Sequence, residues 1–124
     1  MLVAEDNLVN QKVITRQLER WSVRYRLAAN GHQVLEWLEK EPFDLILMDC
    51  QMPEMDGFEA TRRIRAQEAT AHIPIIALTA NAMPEDREAC LQAGMDDYLP
   101  KPFKPEALRA MLERWAQSRL TQVA

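Results

Sequence analysis

The sequence predicts a three-layer α/β domain in which a parallel sheet of five strands is covered by helices on both faces. Three observations point there. Short apolar runs alternate in strict succession with longer segments whose apolar residues recur at helical spacing. The runs 45–48 and 75–78 are apolar without interruption, as befits central strands buried on both faces; a strand facing water would alternate. Turn and cap signals fall between these segments.

In chain order, a first strand over 2–5 leads into a helix whose Val9, Val13, Ile14, Leu18 and Trp21 share one stripe expected to face the sheet. A second strand, 24–28, runs to a turn at Asn30 and Gly31, and Pro42 closes the exit from the helix that follows. The third strand, 45–49, ends on Asp49, and the prolines, acids and glycine after it form a loop before a third helix. Strand 75–79 ends on Thr79. Pro84, Glu85 and Asp86 suit the first turn of a fourth helix, where a missing N–H is harmless and negative charge is favourable; Gly94 suits its left-handed cap. A short strand over 97–99 precedes a last helix striped with Leu108, Met111, Leu112 and Trp115. Residues 1–120 are expected to form one domain, with 121–124 as a tail or linker stump.

An apolar content of 48% with 27% charge excludes a disordered chain, and no 18-residue apolar stretch is present to span a membrane. The start lacks the basic and apolar regions of a secretory signal, so the chain reads as cytoplasmic, or as the cytoplasmic piece of something longer. Fifteen basic against nineteen acidic residues give a formal charge of -4 and no electrostatic case for nucleic acid. Cys50 and Cys90 read as buried thiols rather than a disulfide framework or zinc site. "RRIR", 62–65, reads as the solvated face of the third helix; His32 and His72 lack metal-ligand spacing, and Trp37 and Trp115 read chiefly as packing, with an exposed Trp37 the better partner contact.

In an open parallel sheet the carboxyl ends of the strands share one edge, where ligands bind. Glu5 and Asp6, Asp49, Thr79 and Lys101 all fall there. Crowded carboxylates favour protonation unless a hard cation or a lysine compensates them, and an oxygen-rich set without His and Cys suits magnesium, with manganese as a substitute. Asp49 is then the best nucleophile for a phosphoryl group, Lys101 neutralises the transferred oxygens, and Thr79 offers a hydroxyl.

The stretches "VAEDNLVNQKV", "LILMDCQMPEMDGFEATRRIR", "PIIALTANAM" and "AGMDDYLPKPF" resemble, in order and spacing, the receiver domain of bacterial two-component response regulators, most of all receivers attached to hybrid sensor histidine kinases. The resemblance covers nearly the whole chain and implies a flavodoxin-like fold of strand order 2-1-3-4-5, for which a chemotaxis receiver is a standard example. It implies that Asp49 accepts phosphate from a phosphohistidine, that Asp6, Asp49 and the backbone carbonyl of Gln51 ligate magnesium, and that Glu5 holds a metal-bound water. It further implies Lys101 on the phosphoryl oxygens, Thr79 and Tyr98 as the switch pair, Gln51 and Asn81 as tuners of hydrolysis, and room beside Thr79 at Ala80. The implied partner is a histidine kinase or a histidine-containing phosphotransfer domain docking near Asn7, Leu8, Asn10 and Gln11. Other domains of a parent hybrid kinase, itself membrane-bound in some cases, belong to the same picture; direct contact with nucleic acid or membrane does not. Such a domain catalyses its own phosphorylation and hydrolysis without turning over an external substrate. The chain departs from the family pattern at Ala4, at Trp21 and Ser22 in place of a common Leu-Gly pair, and at Pro100 before the lysine.

Three other readings compete. A magnesium-dependent aspartyl phosphatase of another fold carries a second acid two residues past its nucleophile, where this chain has Gln51. A receiver-like binding module that is never phosphorylated would keep the fold and lose the chemistry. A flavin-binding protein needs a phosphate-cradling loop after the first strand, and none is evident.

Overall fold

The computed structural model describes residues 1–79, 84–101 and 104–123, with side chains as far as Trp115. Five strands and five helices alternate: β1 (Leu2–Ala4), α1 (Leu8–Arg20), β2 (Arg26–Ala28), α2 (Gly31–Lys40), β3 (Ile46–Asp49), α3 (Gly57–Ala66), β4 (Ile75–Thr79), α4 (Pro84–Ala93), β5 (Asp97–Pro100) and α5 (Pro105–Val123). All pairings are parallel and the strand order is β2-β1-β3-β4-β5, the flavodoxin-like order. The last helix thus extends through most of the segment expected to be a tail.

Central β1, β3 and β4 are buried at every position, which is why their sequences do not alternate. One face of the sheet carries Ala4, Ile46, Met48, Ile75 and Ala77 with Ala60, Ile64 and Cys90 of α3 and α4; the other carries Val3, Leu47, Ile76 and Leu78 with Ile14, Leu18 and Leu108 of α1 and α5. Ala4, one of the departures, is fully buried between Ala28 and Met48 on the flanking strands.

Helix starts are capped by short polar side chains. Asn7 accepts from the Val9 and Asn10 amides, Asn30 from Gln33, and Asp56 from Glu59. Two ends need left-handed backbone: Gly94 after α4, at φ 109°, and Ser22 after α1, at φ 58°.

Several expectations are corrected. Only Ile14 and Leu18 of the α1 stripe are fully buried; Val9 is 69% and Val13 46% exposed. Trp37 packs against the core, as its main reading expects, and is not the exposed contact offered beside it; its indole N–H donates to the Leu27 carbonyl at 3.0 Å, with Arg26 and Lys40 over the ring. "RRIR" divides in function. Arg62 and Arg63 pair with Glu59 at the surface, whereas Arg65 donates to the carbonyls of Gly94, Ala71 and Ile73 and to the Asp96 carboxylate. That fork ties the end of α3 to the entries of β4 and β5. Among the described residues no helix is long and apolar enough to cross a membrane.

Candidate functional site

The carboxyl ends of β1, β3 and β4 open into a cleft of about 740 Å³. Its lining includes Glu5, Asp6, Asp49, Gln51, Thr79 and Lys101, so the sheet brings these six expected site residues to one place. Each arrives by a local cause. Glu5 continues β1, its amide donating to the Ala28 carbonyl at 2.9 Å, and Asp49 is the last residue of β3, paired with Leu78. Lys101 follows Pro100, which is in register with Thr79; the Lys101 amide donates to the Thr79 carbonyl at 2.7 Å, the slanted bond of a parallel ladder, and Pro100 sits where no inward N–H is needed.

The acids are close. One oxygen each from Glu5, Asp6 and Asp49 lies within 4.8 Å of the others, with Asp6 exposed and the other two buried. The Lys101 ammonium bridges Glu5 Oε1 at 2.6 Å and Asp49 Oδ2 at 3.1 Å, and the Gln51 amide donates to Asp49 Oδ1 at 3.0 Å. Burial raises the Glu5 carboxyl above its usual range, and the neighbouring Asp49 adds to this against the opposing pull of Lys101. Burial acts to lower the Lys101 ammonium, but its bonds to Glu5 and Asp49 outweigh that and raise it.

Among the described residues one buried side-chain oxygen has no hydrogen-bond partner, Glu5 Oε2. A wholly buried carboxylate with an open oxygen, beside two more acids and only one lysine, suits a hard cation that retains water ligands. The donor set fits magnesium.

Gly57 stands behind Asp49, and a Cβ there would run into the Asp49 carbonyl oxygen and the Met48 side chain. The glycine is required by this close approach, which a sequence reading of a tight turn does not reveal. Tyr98 lies apart from the cleft lining: it is half-buried on β5, packs on the α4 side, and has the Arg87 guanidinium 5.3 Å from its ring centre. Asn81 and Ala80 lie outside the described residues. Cys50 and Cys90 are buried as expected, their sulfurs 3.6 Å apart at the floor of the cleft. Asp56, Phe58 and Asp86 also line it. Asp86 announced itself in sequence only as an acid at a helix start.

A family model described as the response regulator receiver domain matches residues 1–113. The hybrid signal transduction protein dokA of Dictyostelium discoideum is 44% identical over 119 residues, which cover 95% of this chain and 7% of that protein. The chain therefore spans a small fraction of the length of such a relative. The receiver domain of sensor histidine kinase PA1611 from Pseudomonas aeruginosa PAO1, crystallised with magnesium in its active site cleft, is 54% identical with a TM-score of 0.86, covering 92% of this chain and 93% of that one. The complex of the Saccharomyces cerevisiae phosphotransfer protein Ypd1 with the receiver domain of Ssk1 matches at 32% identity and TM-score 0.85, covering 92% of this chain and 86% of that one.

Proposed function

The chain belongs to the response regulator receiver domain family of two-component and phosphorelay systems, and from that premise we propose that Asp49 is its phosphoryl acceptor. The observation that carries this reading is the bridge of Lys101 between Glu5 and Asp49 in a cleft that also holds Asp6 and Thr79.

A carboxylate oxygen of Asp49 attacks the phosphorus of a phosphohistidine; the new P–O bond forms as the P–N bond breaks, and the imidazole leaves with the bonding electron pair and takes up a proton. Lys101 offsets the charge that arrives on the phosphoryl oxygens, and the Thr79 hydroxyl is placed at the next strand end to donate to them. Asp6, Asp49 and the Gln51 carbonyl would hold magnesium, with Glu5 on a metal-bound water, and the ion when bound supplies positive charge to the same oxygens. Gln51 and Asn81 tune hydrolysis, and Thr79 and Tyr98 carry the switch.

Leu8, 71% exposed, with Val9 and Val13 beside it, forms an apolar face on α1 at the rim of the cleft. That face supports docking of a histidine-containing phosphotransfer domain, as in the pairing of the Ssk1 receiver with Ypd1. Residues 1–120 make up the receiver, acting in the cytoplasm as part of a hybrid histidine kinase.

The test is the intact mass of the protein after incubation with magnesium and acetyl phosphate, with and without chelator, alongside Asp49→Ala. A metal-dependent gain of about 80 Da that the substitution abolishes is expected. No adduct, even from a phosphorylated histidine partner under rapid quenching, would instead support a binding module that is never phosphorylated.

A further inference from the structure

Arg87 and Asp86 are adjacent in the first turns of α4 and point to different places. Asp86 lines the cleft, while the Arg87 guanidinium lies over the Tyr98 ring, 5.3 Å from its centre. This is within the range of a cation–π contact. Tyr98 is in register with Ala77 of β4, and two residues on, Pro100 is in register with Thr79 at the cleft. The residue before the tyrosine is held from the opposite face: Asp97 Oδ2 accepts from Arg114 at 3.3 Å and from the Trp115 indole at 3.4 Å, both on α5. Strand β5 is thus gripped by α4 through Tyr98 and by α5 through Asp97.

We propose that Arg87 is a positioning residue for the switch, holding Tyr98 against α4 in the phosphate-free arrangement. The inference rests on the reading of Thr79 and Tyr98 as the switch pair. Arg87 is exposed and on a helix surface, so its removal need not disturb the fold. A contact made in only one of two arrangements biases the equilibrium between them, and by linkage it weakens any ligand that prefers the other. The guanidinium therefore opposes the switch, and phosphorylation must overcome its hold on the ring. An exposed cation–π contact shifts such a population about two- to fivefold.

Beryllofluoride, formed from beryllium and fluoride salts in magnesium buffer, serves as the phosphoryl mimic, and its affinity is read by calorimetry or by Trp115 fluorescence. Arg87→Ala is expected to bind it about two- to fivefold more tightly than the wild-type chain, and Arg87→Lys, which keeps a cation, to stay nearer the wild type. The gain should persist in a Tyr98→Phe background and vanish in Tyr98→Leu, where no ring remains. Unchanged or weaker binding by Arg87→Ala, or an equal gain in the Tyr98→Leu background, overturns the inference while leaving the acceptor role of Asp49 intact. A wild-type chain that binds no beryllofluoride overturns both.

Discussion

The Lys101 ammonium lies 2.6 Å from Glu5 Oε1, a carboxylate that is wholly buried and 96 residues away in the chain. The same ammonium reaches Asp49, so one positive charge serves two buried acids. Lys101→Met leaves both uncompensated and is expected to cost about 2–3 kcal/mol in metal-free buffer. Magnesium restores part of that loss by supplying charge at the same acids, so the gap in melting temperature between variant and wild type narrows when it is added. Equal melting in metal-free buffer would show that the bridge carries no net stability.

Gly57→Ala places a methyl against the Asp49 carbonyl oxygen, which is backbone and cannot turn aside. The expected loss is about 2 kcal/mol or more in urea unfolding, with a lower yield of phosphorylated protein because the strain falls on the acceptor residue.

Ser22→Gly has the opposite sign. Ser22 holds φ at 58° while the Val23 amide donates to the Leu18 carbonyl at 2.8 Å, a helix end that glycine adopts without steric cost. Relief of that strain, less the larger entropy of unfolded glycine, should stabilise the chain by about 0.5–1 kcal/mol. The measurement is a higher urea midpoint at unchanged slope.

Burial pushes both thiols upward; the neighbouring Cys90 sulfur adds to the rise at Cys50, while the contact with Cys50 partly offsets it at Cys90. Iodoacetamide at mildly alkaline pH should therefore leave both unlabelled in the native protein and label both in denaturant. Above the ordinary thiol value of 9.0 the folded chain keeps protons that the unfolded chain has lost, so stability falls as pH rises through that region. Cys50→Ala should flatten the slope, and an unaltered slope would place its origin elsewhere.

The sheet and its chemical edge were legible in sequence because they follow from position along the strands. Uninterrupted apolar runs give buried parallel strands, and whatever ends them must meet at one edge, as Asp49 and Thr79 do. Features that depend on meetings between distant elements were not legible. Val9 and Val13 are four apart, as are Ile14 and Leu18, but the two rows stand one residue apart around α1, about 100°, and only the second is buried against the sheet. Arg65 looks like its neighbours in "RRIR" until the carbonyls of Ala71, Ile73 and Gly94 come within reach of its fork. The role of Gly57 is set by a carbonyl across the loop, and the Cys50–Cys90 contact joins residues from separate elements.

The Arg65 fork gives the molecule a fulcrum. It seizes the carbonyl of Gly94 at the far end of α4 and, through Asp96, the amide of Ile75 at the foot of β4. The near end of α4 carries Asp86 at the cleft and Arg87 over the Tyr98 ring. Motion of α4 is therefore expected to pivot about Gly94 and to grow towards Pro84. Amides near the start of α4 should then exchange hydrogen faster than those near its end, the gradient steepening when the cleft is filled.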